Sequence, residues 1–202
     1  LDRLDRHDTS PGVVLTFDDG FADVYDNAWP LLRERQLPFT IYLASAYMGE
    51  EMKWPGSTAK GPFGQGMTWT QLEEMVDSGV CTIGNHTHTH VRPERLSVGE
   101  LDECNAVIEK HLGVTPRHFT YPWGIPVPEL EPALGQRFRS SSTGLLGRND
   151  PTTDRQRLRR IPVRQSDPLA FFEAKLRGSL RAERAYERFV ATAKSVLQRL
   201  PG

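Results

Sequence analysis

Along the chain, short unbroken apolar runs alternate with stretches in which apolar residues recur every three or four positions. That alternation predicts parallel strands joined by amphipathic helices, an α/β architecture. Residues 13–17 (VVLTF) form the first run and end at Asp18-Asp19-Gly20, the pattern of a buried strand feeding a loop. A helix is predicted over 23–35, with Val24, Ala28, Leu31 and Leu32 on one face; Pro30 inside it predicts a kink or a restart. Residues 39–44 (FTIYLA) read as the second strand. Residues 49–68, rich in Gly, Pro, Lys and Met, read as a long loop, and long loops inside compact domains are more often functional than idle.

Thr70 and Glu73 have the spacing of a capping box, which predicts a helix running to about Ser78 and stopped by Gly79. Residues 80–84 (VCTIG) form a strand leading into Asn85-His86-Thr87-His88-Thr89-His90. Ser97 and Glu100 make a second capping box; it opens a helix whose Leu101, Cys104, Ile108 and Leu112 share a face and which Gly113 closes. Residues 118–121 read as a short strand ahead of Pro122-Trp123-Gly124. A helix over 127–136 and strands over 138–142 and 161–164 follow. Residues 168–200 read as two helices. Their apolar stripe of Tyr186, Phe189, Val190, Ala193, Val196, Leu197 and Leu200 is expected in the core. With no repeat and no Gly/Ser linker, residues 1–202 are expected to form one domain.

Composition narrows the function classes. A 38% hydrophobic content over 202 residues supplies a real core and excludes disorder for the whole chain. The 25 basic and 26 acidic side chains leave a net charge of −1, which gives no electrostatic footprint for nucleic acid or an anionic membrane. No apolar run reaches the roughly 18 to 20 residues of a membrane span. The opening LDRLDRHDTS lacks the apolar centre of a signal peptide, so none is expected in this chain. Cys81 and Cys104 are too few for a disulfide framework, fit no metal motif, and read as buried thiols. Oligomeric state has no signature.

Metal-ligand and acid–base residue types concentrate in two places, Asp18-Asp19 and the run from Asn85 to His90. Both follow predicted strands, and the C-terminal strand ends of parallel α/β folds form their functional face. Adjacent carboxylates are costly to hold together unless a cation compensates or one is protonated. One carboxylate with two imidazoles makes a facial set with open positions, and the second carboxylate is then free to serve as a base. Taken singly, Asp-Asp-Gly is a common turn and the histidine run an exposed loop; their convergence on one rim favours chemistry. An extended segment would place His86, His88 and His90 on one side, whereas a helical turn would pair His86 with His90.

These residues resemble a known family. Thr16-Phe17-Asp18-Asp19-Gly20 is similar to the TFDDG motif of the polysaccharide deacetylases, the NodB-homology or carbohydrate esterase family 4 enzymes. His86 to His90 is similar to their H-[ST]-x-x-H motif, and Phe119 to Gly124 to their F-x-Y-P-[YF]-G segment. The resemblance covers about residues 12–165, followed by the C-terminal helices. It implies a distorted (β/α) barrel with fewer than eight strands. It also implies a metal-dependent hydrolase that removes N-acetyl groups from an amino-sugar glycan. Asp18 would be the general base. Asp19, His86 and His90 would hold the metal, most simply zinc, with cobalt or nickel as substitutes. The pattern sets His88 aside as a non-ligand. The Trp123 backbone N–H would be the oxyanion donor, and Tyr121 with Trp123 would wall the sugar unless they are ordinary core aromatics. The partner implied is an N-acetylated carbohydrate; members often act at the cell wall or on secreted polymers.

Two departures bear on the chemistry. The arginine that opens the third motif in many members is Thr120 here. Arg160 resembles an arginine before a late strand and would take over the pairing with Asp18, unless it is a solvated member of the basic stretch 155–160. The late L-x-H histidine has no counterpart, because all six histidines precede residue 119. Two other readings therefore stand beside the first. One is C–N hydrolysis of a formamido sugar or cyclic ureide; the other is a non-catalytic module that binds metal and carbohydrate.

Overall fold

The computed structural model describes residues 12–57, 62–186 and 188. Six strands make one parallel sheet in chain order: β1 (Leu15–Phe17), β2 (Phe39–Leu43), β3 (Cys81–Asn85), β4 (His118–Thr120), β5 (Ser140–Leu146) and β6 (Leu158–Arg160). The helices are α1 (Trp29–Glu34), α2 (Trp69–Asp77), α3 (Val98–Leu112), α4 (Glu131–Arg137) and α5 (Leu169–Leu176). Each strand is laid beside its predecessor, so the sheet's twist accumulates in one sense and curls it into a half-barrel. The fold is thus α/β with fewer than eight strands. Its two edge strands do not pair. Instead Arg160, at the end of β6, donates to Thr16 Oγ1 at 2.7 Å and to both oxygens of Asp18, just beyond β1.

Burial on both faces explains why β2 reads as a continuous apolar run: all five of its residues are buried. Ile41, Leu43, Leu72, Met75, Cys104 and Ile108 centre the main core. A smaller core gathers Leu101, Phe119, Tyr121, Leu134 and Phe138. Full burial of one such aliphatic or aromatic side chain contributes about 1.5–3 kcal/mol, so these clusters fix which way each strand faces. Cys81 and Cys104 are free and buried, and burial pushes the Cys81 thiol up to about 12.

Local structure meets the sequence expectation of a restart at Pro30 and departs from it at three further points, each with a physical cause. Residues 24–28 form a π-helical turn in which Trp29 N–H donates to Val24 O, and α1 restarts behind it with Pro30 in its first turn. Pro30 has no N–H to give Asp26, so a wide turn takes the place of a continuous helix. The cap of α2 is Thr68 and not Thr70: Thr68 accepts from Gln71 N–H, and the Gln71 side chain accepts from Thr68 N–H at 2.8 Å. The last strand is residues 158–160, ahead of the 161–164 predicted, because Pro162 cannot donate to a ladder. In the tail, α5 and a helical stretch at 181–186 are described. Tyr186 there is 49% exposed with the Arg164 guanidinium 4.3 Å from its ring, so it is not core. The rest of the predicted stripe, from Phe189 onward, lies outside the described residues.

A charged clasp secures α5. Lys175 Nζ donates to Pro162 O at 2.7 Å and to Asp167 at 2.6 Å, and pairs with Glu183 at 2.8 Å. It thereby fixes the segment that follows Arg160. Among the described residues no helix is long and apolar enough to cross a membrane.

Candidate active site

Strand ends β1, β3 and β4 open on one cleft of about 450 Å³, lined by Asp18, Asp19, Trp54, His86, His90 and Trp123 among others. The backbone here is strained. Of five non-glycine residues with positive φ among the described residues, four belong to the cleft or its histidine loop: Asp19 (70°), Thr87 (69°), His90 (50°) and Trp123 (62°). Such conformations cost about 1–3 kcal/mol each and persist where the surrounding structure over-determines them. Buried Asn85 supplies part of that determination: its Oδ1 accepts from Thr87 N–H at 2.8 Å and its Nδ2 donates to Leu101 O at 2.9 Å.

Asp19 Oδ1 lies 3.2 Å from His86 Nε2 and 3.3 Å from His90 Nε2. The Thr120 carbonyl can only accept, so at 2.8 Å from His86 Nδ1 it holds the proton on that nitrogen. His86 Nε2 then turns a lone pair toward a carboxylate oxygen, an arrangement that only a proton or a cation reconciles. Asp19 Oδ1 is buried without a well-aligned hydrogen bond, the condition expected of an atom that needs a cation. Burial opposes ionisation of Asp19, yet His86 and His90 hold its carboxyl well below the usual carboxylate range. Burial also pulls the His86 pKa down, and Asp19, helped by Asp18 and the Thr120 carbonyl, outweighs that and lifts it. The raised imidazole pKa marks a place that stabilises positive charge, and the ionised Asp19 carboxylate is its source. The three ligand atoms lie within 4.8 Å of one another, so the group could hold a metal ion. Its carboxylate–imidazole donors suit a borderline divalent ion.

Asp18 stays out of this group. Arg160 grips it bidentately, Nη1 to Oδ2 at 2.6 Å and Nη2 to Oδ1 at 2.9 Å. Arg160 Nη1 also donates to Thr120 Oγ1 at 3.2 Å, so Thr120 shares the guanidinium with the carboxylate. The pairing joins residues 142 apart in sequence and removes Arg160 from any solvated basic face.

Trp123 occupies a tight turn in which Gly124 N–H donates to Tyr121 O at 3.0 Å. Gly124 has φ 68°, and a Cβ there would lie 2.7 Å from Gly144 Cα on β5. Gly124→Ala is therefore expected to destabilise the protein by about 2 kcal/mol or more. Urea unfolding checks this, and wild-type stability would show that the turn is not seated on β5. Tyr121 touches the cleft floor but is 1% exposed and packs edge-to-face on Phe119, so it belongs mainly to the core. Of the two aromatics expected to wall a sugar, only Trp123 has surface to offer.

His88 lies off the site, with Nδ1 2.9 Å from Ser45 Oγ. Three contributors went unseen in the sequence. Trp54, in the long loop, lies over His90 with ring centroids 4.1 Å apart. Glu100 does not complete a capping box with Ser97; its carboxylate takes Thr89 N–H at 2.9 Å and Thr89 Oγ1–H at 2.8 Å and braces the histidine loop. Arg92 sits over Trp123 at 4.8 Å. An aromatic in a Gly/Pro-rich stretch was the one available signal for Trp54. In a larger groove, bounded by Tyr25, Trp29, Arg33 and Glu74, both Tyr25 and Arg33 bond Glu74, and no cluster of converging ligands forms there among the described residues.

The sequence profile of the family described as Polysaccharide deacetylase matches residues 5–132. The chain belongs to the polysaccharide deacetylase family. Among solved structures, IcaB from Ammonifex degensii is 31% identical with a TM-score of 0.66, covering 77% of this chain and 70% of that one. The BpsB deacetylase domain from Bordetella bronchiseptica shares the fold at 22% identity and a TM-score of 0.68, covering 79% of this chain and 74% of that one. A Staphylococcus aureus relative named poly-β-1,6-N-acetyl-D-glucosamine N-deacetylase is 21% identical over 60% of this chain and 43% of its own length. The chain spans less than half the length of the curated relatives it matches.

Proposed function

We propose that this polysaccharide deacetylase is a metal-dependent de-N-acetylase of an amino-sugar glycan, with zinc as its ion. One observation carries the reading. A single cleft brings together three converging acceptors, Asp19, His86 and His90, and a separate carboxylate, Asp18, that Arg160 keeps out of the ligand group. An ion held by the three ligands supplies Lewis acidity toward a carbonyl and lowers the pKa of water.

Asp18 takes the proton from water as its oxygen adds to the acetamide carbon. The C–N bond then breaks, acetate leaves, and the nitrogen takes up a proton and stays on the sugar. Arg160 fixes the rotamer of Asp18 through two charge-assisted hydrogen bonds, so the base stays aimed into the cleft. The Trp123 N–H is assigned to the charge that builds on the carbonyl oxygen. The indole of Trp123 is assigned to the apolar face of the sugar. The name of the Staphylococcus aureus relative supports a polymer of N-acetylglucosamine as the substrate class.

Incubation with β-1,6-linked N-acetylglucosamine oligomers is expected to release acetate, to stop on chelation and to resume when zinc is restored. Glycan binding with no release of acyl groups or ring opening from N-acetylated, formamido or ureide substrates would overturn the reading in favour of a binding module.

A further inference from the structure

The two imidazoles of the ligand group are held in different ways. His86 has the Thr120 carbonyl 2.8 Å from its Nδ1. His90 has no counterpart: its Nδ1 is buried and has no hydrogen-bond partner among the described residues. Metal-ligating histidines almost always anchor the second ring nitrogen, because an unanchored imidazole swivels and loses affinity. Something else must fix the His90 ring.

Aromatic faces surround it. Trp54 lies at 4.1 Å and 37° to the His90 ring, and Trp123 at 5.4 Å and 56°. Trp54 is itself wedged by Phe21, at 6.1 Å and 68°, and by Tyr47, at 5.8 Å and 64°. The Tyr47 hydroxyl donates to Thr89 O at 3.1 Å, so the wedge is tied to the histidine loop. The loop carrying Trp54 is pinned on its far side as well, where Arg92 Nη2 donates to Gly56 O at 3.2 Å. The same guanidinium lies over Trp123, 4.8 Å from the ring. Arg92 therefore touches both the loop that carries one indole and the other indole itself.

We propose that Trp54 is the positioning residue of His90, holding its ring by stacking in place of the absent hydrogen bond, with Arg92 as the latch of the Trp54 loop. The inference rests on the reading of Asp19, His86 and His90 as the metal ligands. Aromatic rings in close face contact gain attraction beyond burial, enough to select one ring orientation. Loss of an outer partner typically weakens metal affinity by about 10–100-fold.

The test compares zinc affinity, by competition with a chromophoric chelator, in the wild type, Trp54→Phe, Trp54→Leu and Arg92→Ala. The visible spectrum of each cobalt-substituted protein reports ligand geometry. Trp54→Leu keeps an apolar side chain without a ring face and is expected to bind zinc at least about tenfold more weakly, with an altered cobalt spectrum. Trp54→Phe restores a face and should recover most of the affinity, which a purely space-filling role would not produce. Arg92→Ala leaves the core untouched and is expected to weaken binding by about threefold, so it decides the matter if Trp54→Leu does not fold. Wild-type affinity and an unchanged spectrum in Trp54→Leu, or in Arg92→Ala should the first variant not fold, would overturn the proposal and leave the ligand assignment standing. A wild type that binds no zinc would overturn both.

Discussion

Asp18→Asn is expected to lower kcat/KM for acetate release by about a thousandfold while the protein keeps its ion, since a positioned general base contributes about 10²–10⁴. The substitution is nearly isosteric, and the amide oxygen can still accept from Arg160, which now bonds both carboxylate oxygens. What is lost is basicity. Acetate release and elemental analysis on one preparation separate the outcomes. Full activity would move the base elsewhere, and loss of the ion would place Asp18 among the ligands.

His86→Ala should abolish ion retention and, with it, acetate release. His86 is 2% exposed, its Nδ1 is anchored on Thr120, and its Nε2 faces Asp19 Oδ1 at 3.2 Å. Without this imidazole two ligands remain, and the carboxylate oxygen loses one of the partners that keep it ionised. Thermal unfolding gives a second readout. A ligand that binds only the folded state adds about 4 kcal/mol at a thousandfold excess over its Kd. Zinc should therefore raise the unfolding temperature of the wild type markedly and that of His86→Ala little or not at all. Equal shifts in both proteins would place the ion outside the Asp19–His86–His90 group.

The first five strands and the two chemical clusters were legible because their signals are local. Unbroken apolar runs mark strands buried on both faces, as in residues 39–43, and Gly113 closes α3 in the left-handed conformation, φ 66°, that glycine adopts freely. Cap assignments were less secure, because neighbouring residues compete for the same donors. Thr68 took the role given to Thr70, and the Glu100 carboxylate found Thr89 in place of the backbone of Ser97. Arg160 could be named but not placed. Its neighbours Arg155, Arg157 and Arg159 share its chemistry, and nothing in a run of arginines says which one turns inward.

The sequence by itself determined the α/β alternation, the places of most strands along the chain and the identity of the carboxylates and imidazoles at their ends, because each is written within a window of a few residues. The tertiary structure decided what meets across long separations. Only the curl of the sheet brings β6 round to β1, so that Arg160 reaches Asp18 across 142 residues. Only the course of the long loop lays Trp54 on His90. Such pairings depend on accumulated strand twist and loop trajectory, which sum over the whole chain and leave no local pattern to read.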